Sequence, residues 1–127
     1  MTASSPLVLV VEDEPVLRGY VLRLLESQGY RTIGVSSVAA ALDVVRATPP
    51  DSVLCDYHLP DGSGLDVLRS LQAHADTRTT PFTISTADIG LPDEVMEECR
   101  RLGALVLIGV PSRSEILSAI LEMGRQG

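Results

Sequence analysis

Lysine and tryptophan are absent from the 127-residue chain: its ten basic residues are all arginine, and its aromatics are one Phe and three Tyr. Without lysine there is no Gly-rich loop ending in Lys-Ser or Lys-Thr, which excludes a P-loop nucleotide site. The shortage of aromatics predicts a core of aliphatic side chains. The length is that of one ordinary domain. We therefore expect a single domain over residues 1–127, ordered from about residue 7 to about residue 124.

Positive charge, cysteine and long apolar runs are also scarce. The formal net charge of −7 argues against direct binding to DNA, whose phosphates attract basic proteins. No apolar run approaches the roughly 20 residues of a membrane span, and the first residues have no signal-peptide pattern. The two cysteines, Cys55 and Cys99, lie in apolar segments and are expected in the core, as in a reduced cytosol. These features predict a cytoplasmic protein that contacts neither DNA nor a membrane.

The most informative stretch runs from Ser52 to Arg69. It begins with a short apolar run, typical of a buried strand, that Asp56 closes. Proline, aspartate and glycine at residues 60–62 and 64 predict a loop without regular structure. Ser63 followed three residues later by Asp66 is a helix-start signature. A carboxylate is thus predicted where a buried strand leaves the sheet, which is where open α/β sheets place their chemistry.

Apolar strands and amphipathic helices alternate five times along the chain, without a linker or repeat. This alternation predicts an α/β fold, a doubly wound parallel sheet. The predicted strands are Leu7–Val11, Tyr30–Val35, Val53–Asp56, Phe82–Thr86 and Ala104–Ile108. The predicted helices begin at Pro15, Ser36 or Ser37, Leu65, Pro92 and Ser112. Helical spacing assigns to the buried face of the first helix Val16, Leu17, Tyr20, Val21, Leu24 and Leu25, and to that of the last helix Ile116, Leu117, Ile120 and Leu121.

Polar residues end three of the predicted strands. Glu12 and Asp13 follow the first strand, Asp56 ends the third, and Thr86 with Ala87 ends the fourth. If the strands are parallel, three carboxylates and a hydroxyl meet at one edge of the sheet. Carboxylates held together repel one another unless a cation or a proton intervenes, and oxygen ligands suit Mg²⁺.

The segments Val10–Pro15, Leu54–Gly64 and Ser85–Ala87 resemble the receiver domain of two-component response regulators, and the resemblance extends from about Leu7 to the end. It implies a flavodoxin-like sheet of five strands in the order 2-1-3-4-5, with five helices. It also implies a signalling domain, not an enzyme except in its own phosphorylation and dephosphorylation. The phosphoryl group would go to Asp56, and the donor would be a histidine kinase or phosphotransfer protein.

The resemblance further implies a metal site. Asp13 and Asp56 would bind Mg²⁺, Glu12 would assist directly or through water, and the backbone carbonyl of His58 would complete the protein ligands. Of the remaining residues, Thr86 and Ala87 would contact the phosphoryl group. His58 and Asp88 would flank the entrance used by attacking water and tune dephosphorylation, although His58 is equally well explained as a solvated loop residue.

The sequence departs from the family at two positions. Val110 stands where the family carries a lysine that neutralises phosphoryl oxygens, and Leu107 stands where it carries a switch aromatic. Arg113 is a candidate replacement cation, and its alternative is a solvated first-turn residue. These departures predict that phosphorylation changes the last strand and helix only weakly.

Three functions are compatible with these observations. A phosphorylatable receiver leads because its acidic residues are complete. A pseudo-receiver that signals without phosphorylation is favoured by the two departures. An Asp-nucleophile phosphatase is disfavoured, because His58 occupies the general-acid position and lysine is absent. The fourth helix, fifth strand and fifth helix are the expected face for a partner or a homodimer. The sequence leaves open whether the domain stands alone or belongs to a hybrid kinase.

Overall fold

The computed structural model describes residues 5–109 and 112–126, with side chains through residue 122. Five parallel strands form one sheet in the order β2-β1-β3-β6-β7, and two short strands form a separate hairpin. The strands are β1 Leu7–Val11, β2 Arg31–Val35, β3 Ser52–Asp56, β4 His58–Leu59, β5 Gly62–Ser63, β6 Phe82–Thr86 and β7 Leu105–Ile108. Because β6 and β7 are the fourth and fifth strands of the large sheet, the predicted fold and strand order are confirmed.

Each strand of the large sheet is followed by a helix. The helices are α1 Pro15–Ser27, α2 Val38–Ala47, α3 Gly64–Gln72, α4 Asp93–Arg101 and α5 Arg113–Gln126. The Ser63 hydroxyl and the Asp66 carboxylate form the predicted capping box of α3. Gly29, just after α1, has φ of 91°, a left-handed conformation that favours glycine. Within the described residues, no helix has the length and apolar character needed to cross a bilayer.

The core lies on both faces of the sheet and is mainly aliphatic, as the composition predicts. One buried cluster packs the sheet against α2, α3 and α4, and the other packs it against α1 and α5. Phe82, the only phenylalanine, is buried in the first cluster with Cys55 and Cys99. Both cysteines are free thiols, so their predicted core positions are confirmed.

The prediction for the buried faces of the first and last helices was partly wrong. Val16, Leu17 and Tyr20 are 76, 40 and 43 % exposed. Leu17 and Tyr20 line an open cavity rather than the closed core, and Val16 is outside both. In α5, Leu121 is exposed and Ala119 is buried instead. At 100° per residue, Leu121 lies about 140° around the helix from Ile116, so both cannot face the sheet.

The loop after Asp56 was also predicted incorrectly, since it contains regular structure. His58 pairs with Ser63, and Leu59 pairs with Gly62, in a small antiparallel hairpin. Pro60 and Asp61 occupy its turn, so residues that disfavour a long strand close a short one instead.

The turn of this hairpin is attached to α2. The Asp61 carboxylate accepts hydrogen bonds from the backbone N–H groups of Val38 at 2.8 Å and Ala39 at 3.0 Å. These are among the N-terminal donors that a helix leaves without internal partners, so Asp61 caps α2 from a distant segment.

Candidate functional site

Three carboxylates converge at the carboxyl-terminal edge of the sheet, as predicted. Asp56 ends β3, and Glu12 and Asp13 follow β1, the neighbouring parallel strand. One ligand oxygen from each residue lies within 4.8 Å of the others. Asp13 is exposed, whereas Glu12 and Asp56 are partly buried, so solvent reaches the cluster.

The backbone of Glu12 is fixed on both sides. Its N–H donates to Val35 O at 2.9 Å, and its carbonyl oxygen accepts from Arg18 Nη1 at 2.8 Å. Its side chain turns towards α1, where Oε2 accepts the N–H of Glu14 at 3.1 Å. The acidic turn after β1 is therefore held in place by β2 and by the first turns of α1.

The cluster carries more negative charge than its surroundings balance. Burial raises the pKa of Glu12 to about 7; the Asp56 charge adds to the rise, and the N–H of Glu14 opposes it. Burial also raises the pKa of Asp56, helped by the Asp13 charge and opposed by the N–H groups of Tyr57 and His58. Converging carboxylate oxygens with excess negative charge fit a hard divalent cation, so this donor set suits Mg²⁺.

The glycine at position 64 is required by the strand that ends at Asp56. A Cβ on Gly64 would lie 2.6 Å from the backbone oxygen of Asp56, too close for any side chain. The Gly64 N–H donates to Tyr57 O at 2.7 Å. The start of α3 therefore packs directly against the backbone of Asp56 and Tyr57, which explains the last glycine of the Asp-Gly-Ser-Gly motif.

The polar residues predicted at the entrance form a chain of contacts. The buried Thr86 hydroxyl accepts the N–H of Asp88 at 3.1 Å, and Asp88 Oδ2 lies 2.7 Å from Nε2 of His58. This contact lowers the pKa of Asp88. The His58 ring is 61 % exposed and meets Tyr57 edge-on with ring centroids 5.0 Å apart. The entrance is thus bridged between the hairpin and the segment after β6.

The positions predicted to depart from the family are only partly described. Leu107 is partly buried in β7, and its partner across the sheet is Ser85. Val110 lies outside the described residues. Arg113 is exposed at the first residue of α5. Its guanidinium has no hydrogen bond or ion pair among the described residues, and it is not part of the acidic cluster.

Beside the carboxylates lies a cavity of about 360 Å³ between the sheet, α1 and α5. Its walls include Leu17, Tyr20, Val21, Leu54, Ile116 and Ser85. Sequence reasoning missed Ser85, the sheet partner of Asp56. The alternation of Phe82-Thr-Ile-Ser85 places Thr83 and Ser85 on one face of β6, but which face was known only once β6 was paired with β3. Ala87 also lines the cavity, and Thr86 does not.

Fold and site together define a class: an open, doubly wound α/β domain with an acidic cluster at the carboxyl ends of its strands. Residues 8–122 match the family model of the response regulator receiver domain, and the chain belongs to this family. Receiver domains are signalling modules rather than classical enzymes, and they interact with histidine kinases or phosphotransfer proteins.

Curated relatives differ in how much of them the chain spans. It is 36 % identical over 104 residues to the polar-differentiation response regulator DivK of Brucella ovis, covering 82 % of this chain and 83 % of DivK. It is 30 % identical over 106 residues to the sensory/regulatory protein RpfC of Xanthomonas campestris pv. campestris, covering 82 % of this chain but 14 % of RpfC.

Solved structures agree with the fold. The non-phosphorylated HemR receiver domain of Leptospira biflexa has a TM-score of 0.81 and 28 % identity, covering 94 % of each chain. The chemotaxis protein CheY4 of Vibrio cholerae has a TM-score of 0.84 and 20 % identity, covering 94 % of this chain and 98 % of that one. The second likeness shows the fold alone.

Proposed function

We propose that the chain receives a phosphoryl group on Asp56 from a histidine kinase or phosphotransfer protein and signals through protein contacts. The observation that carries this proposal is the convergence of the Glu12, Asp13 and Asp56 carboxylates within 4.8 Å at the end of β3. A carboxylate in that position is partly buried yet open to an incoming protein. Its neighbours supply oxygen ligands for a cation that would offset phosphoryl charge.

In the proposed reaction, an oxygen of Asp56 attacks the phosphorus of a phosphohistidine. The P–N bond breaks, its electron pair stays on the imidazole nitrogen, and the new P–O bond makes an aspartyl phosphate. Glu12, Asp13 and Asp56 would hold Mg²⁺, with the His58 carbonyl as a further ligand, and the ion would offset the charge on the phosphoryl oxygens. Thr86 accepts at its oxygen and therefore keeps its proton to donate to the phosphoryl group, beside the backbone of Ala87.

The contact between His58 and Asp88 supports a role for both in dephosphorylation. It bridges the entrance between the hairpin and the segment after β6. In this proposal the bridge restricts the approach of water to the aspartyl phosphate, so loss of either side chain changes the lifetime of the phosphorylated state.

A pseudo-receiver is the second candidate, and a specific observation favours it. The β7 position assigned to the family's switch aromatic holds Leu107, whose shorter side chain is partly buried beside β6. Together with Val110 in the sequence, this predicts a weak response of β7 and α5 to phosphorylation. The acidic cluster keeps the phosphorylated receiver as the leading proposal.

We further propose that α4, β7 and α5 form the face for a protein partner or a homodimer, without direct DNA binding. The first turn of α4 is acidic and its last turn carries Arg100 and Arg101, so this face offers charges of both signs. The strand at its centre, Leu105–Ile108, is wholly apolar and lies at the edge of the sheet.

Intact mass after incubation with Mg²⁺ and acetyl phosphate tests the phosphorylation. We expect a gain of one phosphoryl group in the wild type, its loss in Asp56→Ala and after addition of a chelator, and its retention in Asp43→Ala. Asp43 is a matched control because it is an exposed carboxylate on α2. An unmodified wild type, or a gain that persists in Asp56→Ala, would contradict the proposal.

A further inference from the structure

The cavity beside Asp56 combines an apolar wall with an acidic end. Leu17 and Val21 of α1, Leu54 of β3 and Ile116 of α5 form apolar walls, and the carboxylate cluster opens into the same space. Its volume of about 360 Å³ is within the range of small ligand sites. Such a space suits a group with an aliphatic stem and a cationic head.

Charge arithmetic shows that one metal ion does not balance this site. When all three carboxylates are ionised their total charge is −3, and a divalent cation reduces that to −1. Phosphorylation replaces the single charge of Asp56 with about two, which leaves about two negative charges in a partly buried place.

The described part of the chain supplies no cation to this cavity. The sequence contains no lysine, and no arginine is among the residues that line the cavity. Arg18, the nearest in sequence to the acidic turn, donates its guanidinium to the carbonyl oxygen of Glu12. Arg113 is exposed on α5 and does not line the cavity.

We propose that this cavity receives a basic side chain of the phosphodonor protein, whose cation lies against the phosphoryl group on Asp56. The inference rests on the proposed function and specifies the chemistry of its partner. The stem would pack against Leu17, Val21 and Ile116. Tyr20 lines the same cavity, and aromatic rings attract cations. The exposed side chains of Val16, Leu17 and Tyr20 provide apolar surface at the opening for the protein that carries the side chain.

Binding is tested with butylguanidinium, which mimics an arginine side chain, in the presence of Mg²⁺. We expect millimolar binding, seen as methyl NMR shifts of Leu17, Val21 and Ile116, with unsubstituted guanidinium binding several-fold more weakly. Leu121, an exposed residue of α5 outside the cavity, is the internal control and should not shift. Absence of shifts at the cavity methyls would overturn the proposal. Micromolar affinity would also overturn it, because that would identify a site for a free small-molecule cation rather than for a side chain of a partner protein.

A cation supplied by the chain itself provides a second test. Leu17→Lys places an ammonium group on the cavity wall, whereas Val16→Lys makes the same change of charge on a neighbour that does not line the cavity. We expect butylguanidinium to speed the reaction of the wild type with acetyl phosphate. Leu17→Lys should take a phosphoryl group several-fold faster than the wild type and should not respond to butylguanidinium. Val16→Lys should behave like the wild type. Equal effects of the two substitutions would show that only net charge matters and would overturn the proposal.

These experiments separate the inference from the function on which it rests. Suppose that the wild type accepts phosphoryl groups, but butylguanidinium changes neither its methyl shifts nor its rate of phosphorylation. That result contradicts only the proposed binding of a basic side chain. A wild type that accepts none contradicts the proposed function, and the methyl shifts still decide whether the cavity binds the cation.

Discussion

At the scale of single residues, Gly64 shows how closely α3 approaches the backbone of Asp56. A Cβ at this position would lie 2.6 Å from the backbone oxygen of Asp56, and backbone cannot move aside as a flexible side chain can. We expect Gly64→Ala to lower the free energy of unfolding by about 1–3 kcal/mol, the usual cost of overpacking, and to slow phosphorylation because Asp56 is displaced. Chemical denaturation and intact mass measure the two effects.

Gly19→Ala is the control for this substitution. A Cβ on Gly19 would meet only the end of the Arg23 side chain, at 3.2 Å. Because alanine favours a helix interior, we expect Gly19→Ala to stabilise the protein by about 0.5–1 kcal/mol. Equal effects of the two substitutions would contradict the contact between Gly64 and Asp56.

The pKa of Glu12 predicts how metal binding depends on pH. Below its pKa of about 7 a proton occupies the Glu12 carboxylate, which belongs to the proposed Mg²⁺ site. We therefore expect the Mg²⁺ affinity to fall by up to tenfold per pH unit between pH 7 and pH 5. Calorimetric titration measures how the Mg²⁺ affinity depends on pH. Glu12→Gln should bind Mg²⁺ more weakly, and its affinity should change less with pH. An unchanged slope in Glu12→Gln would show that another group titrates.

The raised pKa of Glu12 also determines whether the free energy of unfolding of the metal-free protein rises or falls with pH. Because the folded state holds this proton more tightly than the unfolded state, the stabilisation is complete below the ordinary glutamate pKa of 4.5. It is then lost as pH rises through about 7. Thermal unfolding without metal should show this loss in the wild type and less of it in Glu12→Gln.

The acidic residues could be predicted from the sequence, but two other site residues could not. Glu12, Asp13 and Asp56 each follow an apolar run, and strand ends in a parallel sheet share an edge. Ser85 was missed because its alternation identifies a face without saying what lies opposite. Asp61 is 23 positions from Val38 and 22 from Ala39, so no local sequence pattern predicts its contact with α2.

At the scale of elements, the hairpin after Asp56 is fastened to α2 by one carboxylate. The N–H groups of Val38 and Ala39 lower the pKa of Asp61, since they stabilise its charged form. We expect Asp61→Ala to lower the denaturation midpoint and to speed amide exchange both at the first turn of α2 and in the hairpin. Asp43→Ala removes an exposed ion pair with Arg46 on the same helix and should leave exchange at both places unchanged. Exchange altered only in α2 would contradict the coupling.

Elements of ordinary length were predicted well because their periodicity extends over enough residues. The strands Leu7–Val11 and Phe82–Thr86 have the predicted bounds, and the others differ by one residue. Strands of two residues, such as His58–Leu59, are too short to show a period. The exposed face of α1 was misassigned because apolar residues beside a cavity have the same spacing as residues in a core.

At the scale of the whole molecule, the proposed partner face predicts where association changes amide exchange. When an output partner binds or a homodimer forms, we expect protection in α4, β7 and α5. When the phosphodonor binds, we expect protection around the start of α1. Ile116 of α5 borders the donor patch as well, so α4 and β7 report the output partner and the start of α1 reports the donor. Protection confined to α2 and α3 would contradict both placements.

The edge-on contact between Tyr57 and His58 has an optical consequence. Tryptophan is absent, so tyrosine emission is unmasked, and Tyr57 directly follows Asp56. An imidazole in contact with a phenol ring influences the fluorescence quantum yield of the phenol. Any movement of the hairpin that separates the rings of His58 and Tyr57 therefore changes the fluorescence intensity. Stopped-flow fluorescence can therefore follow events at Asp56 without a dye, with Tyr57→Phe giving the background from Tyr20 and Tyr30.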